Sequence, residues 1–175
     1  MRIQRWIKGG GVILTGCSLL FVLLSSAWAE PGPKAELLLR KEDPYLYGIC
    51  GWCTDLLNIG QNEDWKNFSR YNLDTQTGYY LIDLMGPAGT MVTLFGAQDY
   101  SRKNGFLILV KKDDSPIAVG DLNNFPPRQW VDVNNAEGSG VYSVWYHPVE
   151  NFKERIASVR WGQWWTELPP ASEKE

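Results

Sequence analysis

Three cysteines and one histidine are all that this 175-residue chain offers for thiolate or imidazole chemistry, and their scarcity excludes a good deal. With His147 as the sole histidine, no multi-histidine zinc centre can be built. As a general base His147 would need a nucleophile and an orienting carboxylate. Ser143 lies on what reads as the same strand, roughly 13 Å away along the backbone, and Glu150 merely follows in sequence. His147 therefore reads as a surface histidine at the turn before Pro148. Phosphate loops are also lacking: Gly9-Gly10-Gly11 opens the chain, and Gly138-Ser139-Gly140 has neither a following helix nor a basic residue. No cation cluster is longer than Lys111-Lys112, too few charges on one face to neutralise a polyanion backbone, so nucleic acid is excluded as a partner. The acidic doublets Asp113-Asp114 and Glu63-Asp64 cannot each form an acid and base couple, because adjacent side chains on a strand point to opposite faces. They read as turn and helix-cap residues, and no cofactor or metal is expected.

Long apolar runs are scarce too. The single one, Val12 to Leu24, follows Arg2, Arg5 and Lys8 and ends at Ala27-Trp28-Ala29 before Glu30. At 13 residues it is shorter than the ~20 a bilayer span needs, so residues 1–29 read as a secretory signal peptide and the protein as periplasmic or secreted. Leu14-Thr15-Gly16-Cys17 also fits a bacterial lipobox, which would make a lipoprotein anchored through Cys17. The apolar core runs on past Cys17 as Ser, Leu, Phe and Val, so Cys17 is expected to leave with the leader and no membrane span to remain. Cleavage leaves 14 basic residues against 20 acidic ones, a net charge of −6.

The remaining chain suits one domain. Residues 30–44, rich in Pro, Lys, Glu and Leu, read as a mobile arm with at most a short strand or turn at Leu37 to Leu39. One helix is expected after Asn62: Glu63 and Asp64 suit its positive end, and Trp65, Phe68 and Tyr71 or Asn72 recur at helical spacing. It would enclose the sequon Asn67-Phe68-Ser69. Thereafter the period changes. Tyr79 to Met85, Thr90 to Phe95, Gly105 to Val110, Ile117 to Val119, Trp130 to Val133, Val141 to Tyr146 and Ile156 to Trp161 are short β-branched or aromatic runs. Gly, Pro, Asn and Asp punctuate them. The expected fold is mainly β, a sandwich or Greek-key type, with one or two short N-terminal helices. Its globular domain spans 45–168 and its disordered tail 169–175.

Two patterns carry chemistry. Cys50-Gly51-Trp52-Cys53 holds the two cysteines left after cleavage, and in an oxidising compartment they are expected to pair. The pair reads as a structural clip; the alternative is a dithiol redox centre with Cys50 as nucleophile and Cys53 as resolving thiol. The second pattern is aromatic. Trp161-Gly162-Gln163-Trp164-Trp165, with Trp130 and Trp145 upstream, supplies indoles that either fill a core or stack on sugar rings.

The apolar run before Cys50 and the possible helix from Thr54 resemble a thioredoxin-like active site, which would imply thiol-disulfide exchange. The facing proline of that fold has only Pro87 as a candidate, and the helices between its later strands are missing. Met91 to Tyr100, with Phe95 and Tyr100 five apart, resembles the opening of a βγ-crystallin Greek key. Val119-Gly120-Asp121-Leu122 and Asn151 to Trp161 resemble its middle and closing strands. That likeness covers about residues 91–161 and implies a Greek-key domain. Arg102 stands where the motif has glycine, and Lys153 stands where its calcium signature has an acid, so no calcium ligands are carried over. Asp121, Asn123 and Asn124 read as turn formers. By elimination the expected activity is non-enzymatic: recognition of a protein, envelope component or glycan by loops and by Trp130, Trp145, Trp161, Trp164 and Trp165.

Overall fold

Alternation of apolar and polar side chains sets the architecture. In the computed structural model, which describes residues 34–42, 55–68, 79–134 and 139–166, nine strands form two antiparallel sheets within one domain. They are β1 (Glu36–Glu42), β2 (Asp55–Gly60), β3 (Tyr79–Met85), β4 (Met91–Phe95), β5 (Phe106–Lys111), β6 (Ile117–Val119), β7 (Trp130–Asn134), β8 (Val141–His147) and β9 (Ser158–Trp161). The four-stranded sheet runs β2-β1-β3-β6 and the five-stranded sheet β7-β8-β5-β4-β9. Residues 1–29, read as a leader, with Cys17, Cys50, Cys53 and residues 169–175, read as a tail, lie outside the described residues.

One buried cluster draws on both sheets. Leu37, Leu39, Ile59, Ile82 and Leu84 come from the smaller sheet; Val92, Leu94, Leu107, Leu109, Val144 and Val159 come from the larger. Each set sits at alternate positions, as a single inward face requires. The three central strands of the larger sheet are buried on their other face as well, which explains near-continuous apolar runs such as Phe106-Leu107-Ile108-Leu109-Val110. That other face has its own cluster: Phe95, Phe106, Ile108, Trp145 and Trp165.

Two expectations are corrected near the N-terminus. Glu36–Glu42, read as part of a mobile arm, is an internal strand paired with both β2 and β3. Leu37, Leu39 and Lys41 face inward, and two full hydrogen-bonded ladders outweigh the weak strand propensity of Leu, Lys and Glu. The helix expected from Asn62 is not seen among the described residues, nor is any other N-terminal helix. Asn62 takes a left-handed turn conformation, and Trp65 forms a bridge with Val159, each backbone N–H donating to the other's carbonyl at 2.9 Å. Glu63 turns back to accept from the Gly60 N–H, and Asp64 accepts from the Trp161 N–H at 2.8 Å. Of the acids chosen as helix-cap residues, Glu63 closes the turn after β2 and Asp64 ties this segment to β9.

Candidate functional site: an aromatic sheet face

Cross-strand register builds the site. On the outer face of the five-stranded sheet, Phe95, Phe106 and His147 form one row across β4, β5 and β8. Arg160, Thr93, Ile108, Trp145 and Trp130 form the next row across all five strands. Side chains directly opposite on neighbouring strands touch, so the rings merge into one surface.

Two chain reversals complete it. The β4–β5 connection folds back in two single-turn 3-10 segments, Gln98–Tyr100 and Arg102–Asn104. The buried Ser158 hydroxyl pins this connection, donating to the Ala97 carbonyl at 2.6 Å and accepting from the Tyr100 N–H at 3.2 Å. Tyr100 is thereby brought over Phe95, with ring centroids 5.8 Å apart. After β9, Gly162 adopts a positive φ of 73° that suits glycine, and its N–H donates to the Met91 carbonyl. The chain then lays Trp164 and Trp165 across the sheet. Trp164 contacts Phe95 at 5.5 Å and Phe106 at 5.7 Å, and its indole N–H donates to the Thr93 hydroxyl at 2.8 Å. Trp165 packs edge-on against Trp164 at 5.6 Å and reaches Trp130 at 6.2 Å; Trp130 in turn meets Trp145 at 5.9 Å.

The five tryptophans read as binding residues thus divide. Trp130, Trp145, Trp164 and Trp165 gather on this face, whereas Trp161 belongs to the buried cluster that draws on both sheets. Trp145 and Trp165 are only 4% and 7% exposed, while Trp130 and Trp164 stay half-buried. The indole N–H groups of Trp145, Trp161 and Trp165 are buried without a hydrogen-bond partner among the described residues, so these three rings contribute packing area rather than polar anchoring.

Cations border the rings. The Arg102 guanidinium lies 5.8 Å from the centre of the Trp164 ring and that of Arg160 5.5 Å from Tyr100, both within cation–π range. Arg128, held in a left-handed turn, donates its N–H to the Tyr146 carbonyl at 2.7 Å, which sets it beside His147. Burial, followed by Arg128 and Arg102, pushes the His147 pKa down. At the other end burial raises that of Tyr100, with Asp64 adding to the rise and Arg160 opposing it.

The remaining candidates have structural partners. Ser143 donates to the Asp132 carboxylate rather than to His147. Asp113 accepts from the Ser115 and Val141 N–H groups and Asp114 from that of Ala88, which ties the turn after β5 to its neighbours. Asp121 accepts from the Asn123 N–H in a local turn. Among the described residues no group of three or more His, Cys, Asp or Glu side chains is placed to hold a metal ion, and no helix is long and apolar enough to cross a membrane.

Phe95, Tyr100, Phe106, His147, Arg102, Arg128 and Arg160 complete the face without having been singled out from the sequence as binding residues. Alternation within each strand could have assigned Phe106 and His147 to a shared side once the pairing of β5 with β8 was known. Nothing local could have placed Arg102 or Arg128, which reach the rings from loops. No protein-family model, curated protein or solved structure matches the chain.

Proposed function

We propose that the chain is an exported, non-enzymatic binding protein whose two sheets pack as a β-sandwich and whose outer aromatic face holds a glycan. The observation that carries this is the unbroken series of rings Tyr100, Phe95, Trp164, Trp165 and Trp130, in which Tyr100, Trp164 and Trp130 keep part of their surface open to solvent. A contiguous apolar surface left open to solvent is a candidate interaction site. Indole and phenol rings combine a broad apolar face with little conformational freedom to lose, which suits stacking against the C–H faces of pyranose rings. Successive rings about 5.5–6.2 Å apart offer a polysaccharide several stacking points. The secretory character of residues 1–29 supports an encounter outside the cytoplasm.

The test is binding of the purified protein to a panel of soluble polysaccharides by affinity electrophoresis and calorimetry. Trp164→Ala and Trp130→Ala are each expected to weaken binding about tenfold, ~1.4 kcal/mol. Glycan binding unchanged by both substitutions would overturn the proposal.

A further inference from the structure

We propose that a polar cleft beside the aromatic face is a second subsite, taking one uncharged sugar unit of the glycan that the rings hold; the inference rests on the glycan reading above. The cleft, about 320 Å³, lies where three chain segments meet: the turn after β2, the approach to β4 and the exit from β9. A backbone hydrogen bond fixes each segment. The Gln61 N–H donates to the Ala35 carbonyl at 2.9 Å, that of Gly89 to the Lys111 carbonyl at 2.9 Å and that of Gly162 to the Met91 carbonyl at 3.0 Å. A cleft held in this way is preformed, so a ligand has little left to order. Met91 joins it to the rings, since it lines the cleft and also packs against the aromatic cluster of the outer face. Gln163 joins them a second time, as the residue before Trp164.

The lining selects the ligand chemistry. None of the described residues that line the cleft carries a charge. The nearest carboxylates in sequence, Glu63 and Asp64, turn instead to the Gly60 and Trp161 N–H groups. The cleft is lined by amides and one hydroxyl whose hydrogen-bonding capacity is only partly used. Gln61 accepts from the Ala35 N–H through Oε1, which leaves its amide NH2 to donate. Gln163 donates through Nε2 to the Trp165 carbonyl, which leaves Oε1 to accept. The Thr90 hydroxyl donates to the Pro87 carbonyl at 2.7 Å and keeps its lone pairs, and Asn62 adds an exposed amide that offers both functions. Such a mixture matches sugar hydroxyls, each of which donates and accepts, and gives no counter-charge to an acid or an amine. Open space lies beside Gly89 and Gly162, where an added Cβ would meet no atom within 4 Å. Met91 supplies apolar surface suited to the C–H face of a pyranose, while Trp161, 8% exposed, only closes the cleft off. The volume is near the lower limit of the ~300–1,000 Å³ usual for ligand clefts, which restricts the occupant to a single unit rather than a chain.

The experiment offers the purified protein three neutral pentasaccharides, built of β-linked glucose, galactose or N-acetylglucosamine. At least one should bind with an affinity that salt does not change, and adding it should shift the backbone amide NMR signals of Gly89 and Gly162. Two substitutions reach the cleft without touching the rings. Asn62→Gly removes an amide at a left-handed position that glycine accepts, and Gln61→Glu keeps the oxygen bonded to Ala35 while replacing the donor NH2. Together they should weaken binding tenfold or more and leave the thermal midpoint in place. Parental affinity in this double variant, with Trp164→Ala still weakening binding, overturns the inference and leaves the aromatic-face reading standing. Binding that neither the double variant nor Trp164→Ala alters brings down both. An affinity that falls steeply as salt is raised, or binding of none of the three probes, overturns the inference as well. If the double variant does not fold, the amide shifts at Gly89 and Gly162 decide: their presence supports the cleft and their absence overturns it.

Discussion

The imidazole of His147 lies flat on the ring of Phe106, with centroids 5.1 Å apart and planes within 3° of parallel. The two residues are direct cross-strand partners between β5 and β8, so the stack follows from register rather than from a chance rotamer. Burial and the neighbouring Arg128 and Arg102 lower the imidazole's pKa from its ordinary value of 6.5. In the unfolded chain it titrates at that ordinary value. Between the two values the unfolded state binds more protons, so stability rises with pH and is lost as pH falls through the folded value. The thermal midpoint should therefore fall between about pH 7 and pH 5, and His147→Gln should flatten part of that slope. Melting curves for the two proteins that stay parallel over this range would show that the stack carries no such linkage.

Gly96 and Asn104 set the width of the neighbouring β-hairpin. A Cβ at position 96 would lie 2.0 Å from the Asn104 backbone carbonyl oxygen, a collision that no rotamer relieves. Gly96→Ala should cost about 3 kcal/mol or more, since the backbone itself must move. Because the same connection carries Tyr100 and Arg102, glycan binding should fall with stability. Denaturant titration checks the first effect; a loss under 1 kcal/mol would mean the hairpin is softer than it looks.

The contrast between β1 and β6 shows what was legible in the sequence. Ile117–Val119 announced itself by two β-branched residues between turn formers, and all seven runs chosen on that basis became β3 to β9. Glu36–Glu42 is leucine with charged residues, equally suited to helix or coil, and became a strand only because β2 and β3 flank it. Asp64 misled for a related reason: acids suit a helix start, but here the carboxylate serves the backbone of Trp161, far away in sequence. The site divides along the same line. Its tryptophans could be named from composition, whereas the side of the sheet each occupies depends on register, and the flanking arginines depend on loop paths that no local signal encodes.

Lys111 is a further case where tertiary packing decides. It is 1% exposed, at the end of the inward-facing row of β5, and its ammonium donates to the Ser115 carbonyl. Burial lowers its pKa, while Asp113 and Asp114 oppose the shift. Lys111→Ala should destabilise by roughly 2–4 kcal/mol, because it empties the volume of the stem and leaves the carbonyl without its donor. Lys111→Met keeps the stem and sheds the cost of a buried charge, so it should lose less than about half as much. Equal losses for the two variants, measured by denaturant unfolding, would assign the whole effect to the ammonium.

The cysteines admit a test that needs no view of their surroundings. Cys50 and Cys53 are separated by two residues, and the export proposed above would bring them to oxidising conditions. As a structural clip the pair should have a reduction potential below about −300 mV; exchangers lie between about −120 and −270 mV. Titration in a dithiol buffer with alkylation and intact-mass readout gives the value. A potential in the exchanger range would favour thiol transfer by Cys50 over glycan recognition as the protein's activity.

Trp161 and Trp164 lie three residues apart and should separate stability from binding. Trp161 is 8% exposed within the buried cluster shared by both sheets, and its indole N–H has no partner to lose among the described residues. Trp161→Phe should therefore lower stability by roughly 1–3 kcal/mol through lost volume alone, with glycan affinity unchanged in the protein that remains folded. Trp164 is half-buried on the outer face, donates to Thr93 and meets Phe95, Phe106 and Trp165. Trp164→Ala should cost about 1–2 kcal/mol of stability, because only part of its surface is removed from water, and most of the glycan affinity. Calorimetry and unfolding on both variants place them on a two-axis plot. If Trp161→Phe lost affinity as steeply as Trp164→Ala, binding would track the integrity of the whole domain, and the outer face would have no special claim to the ligand.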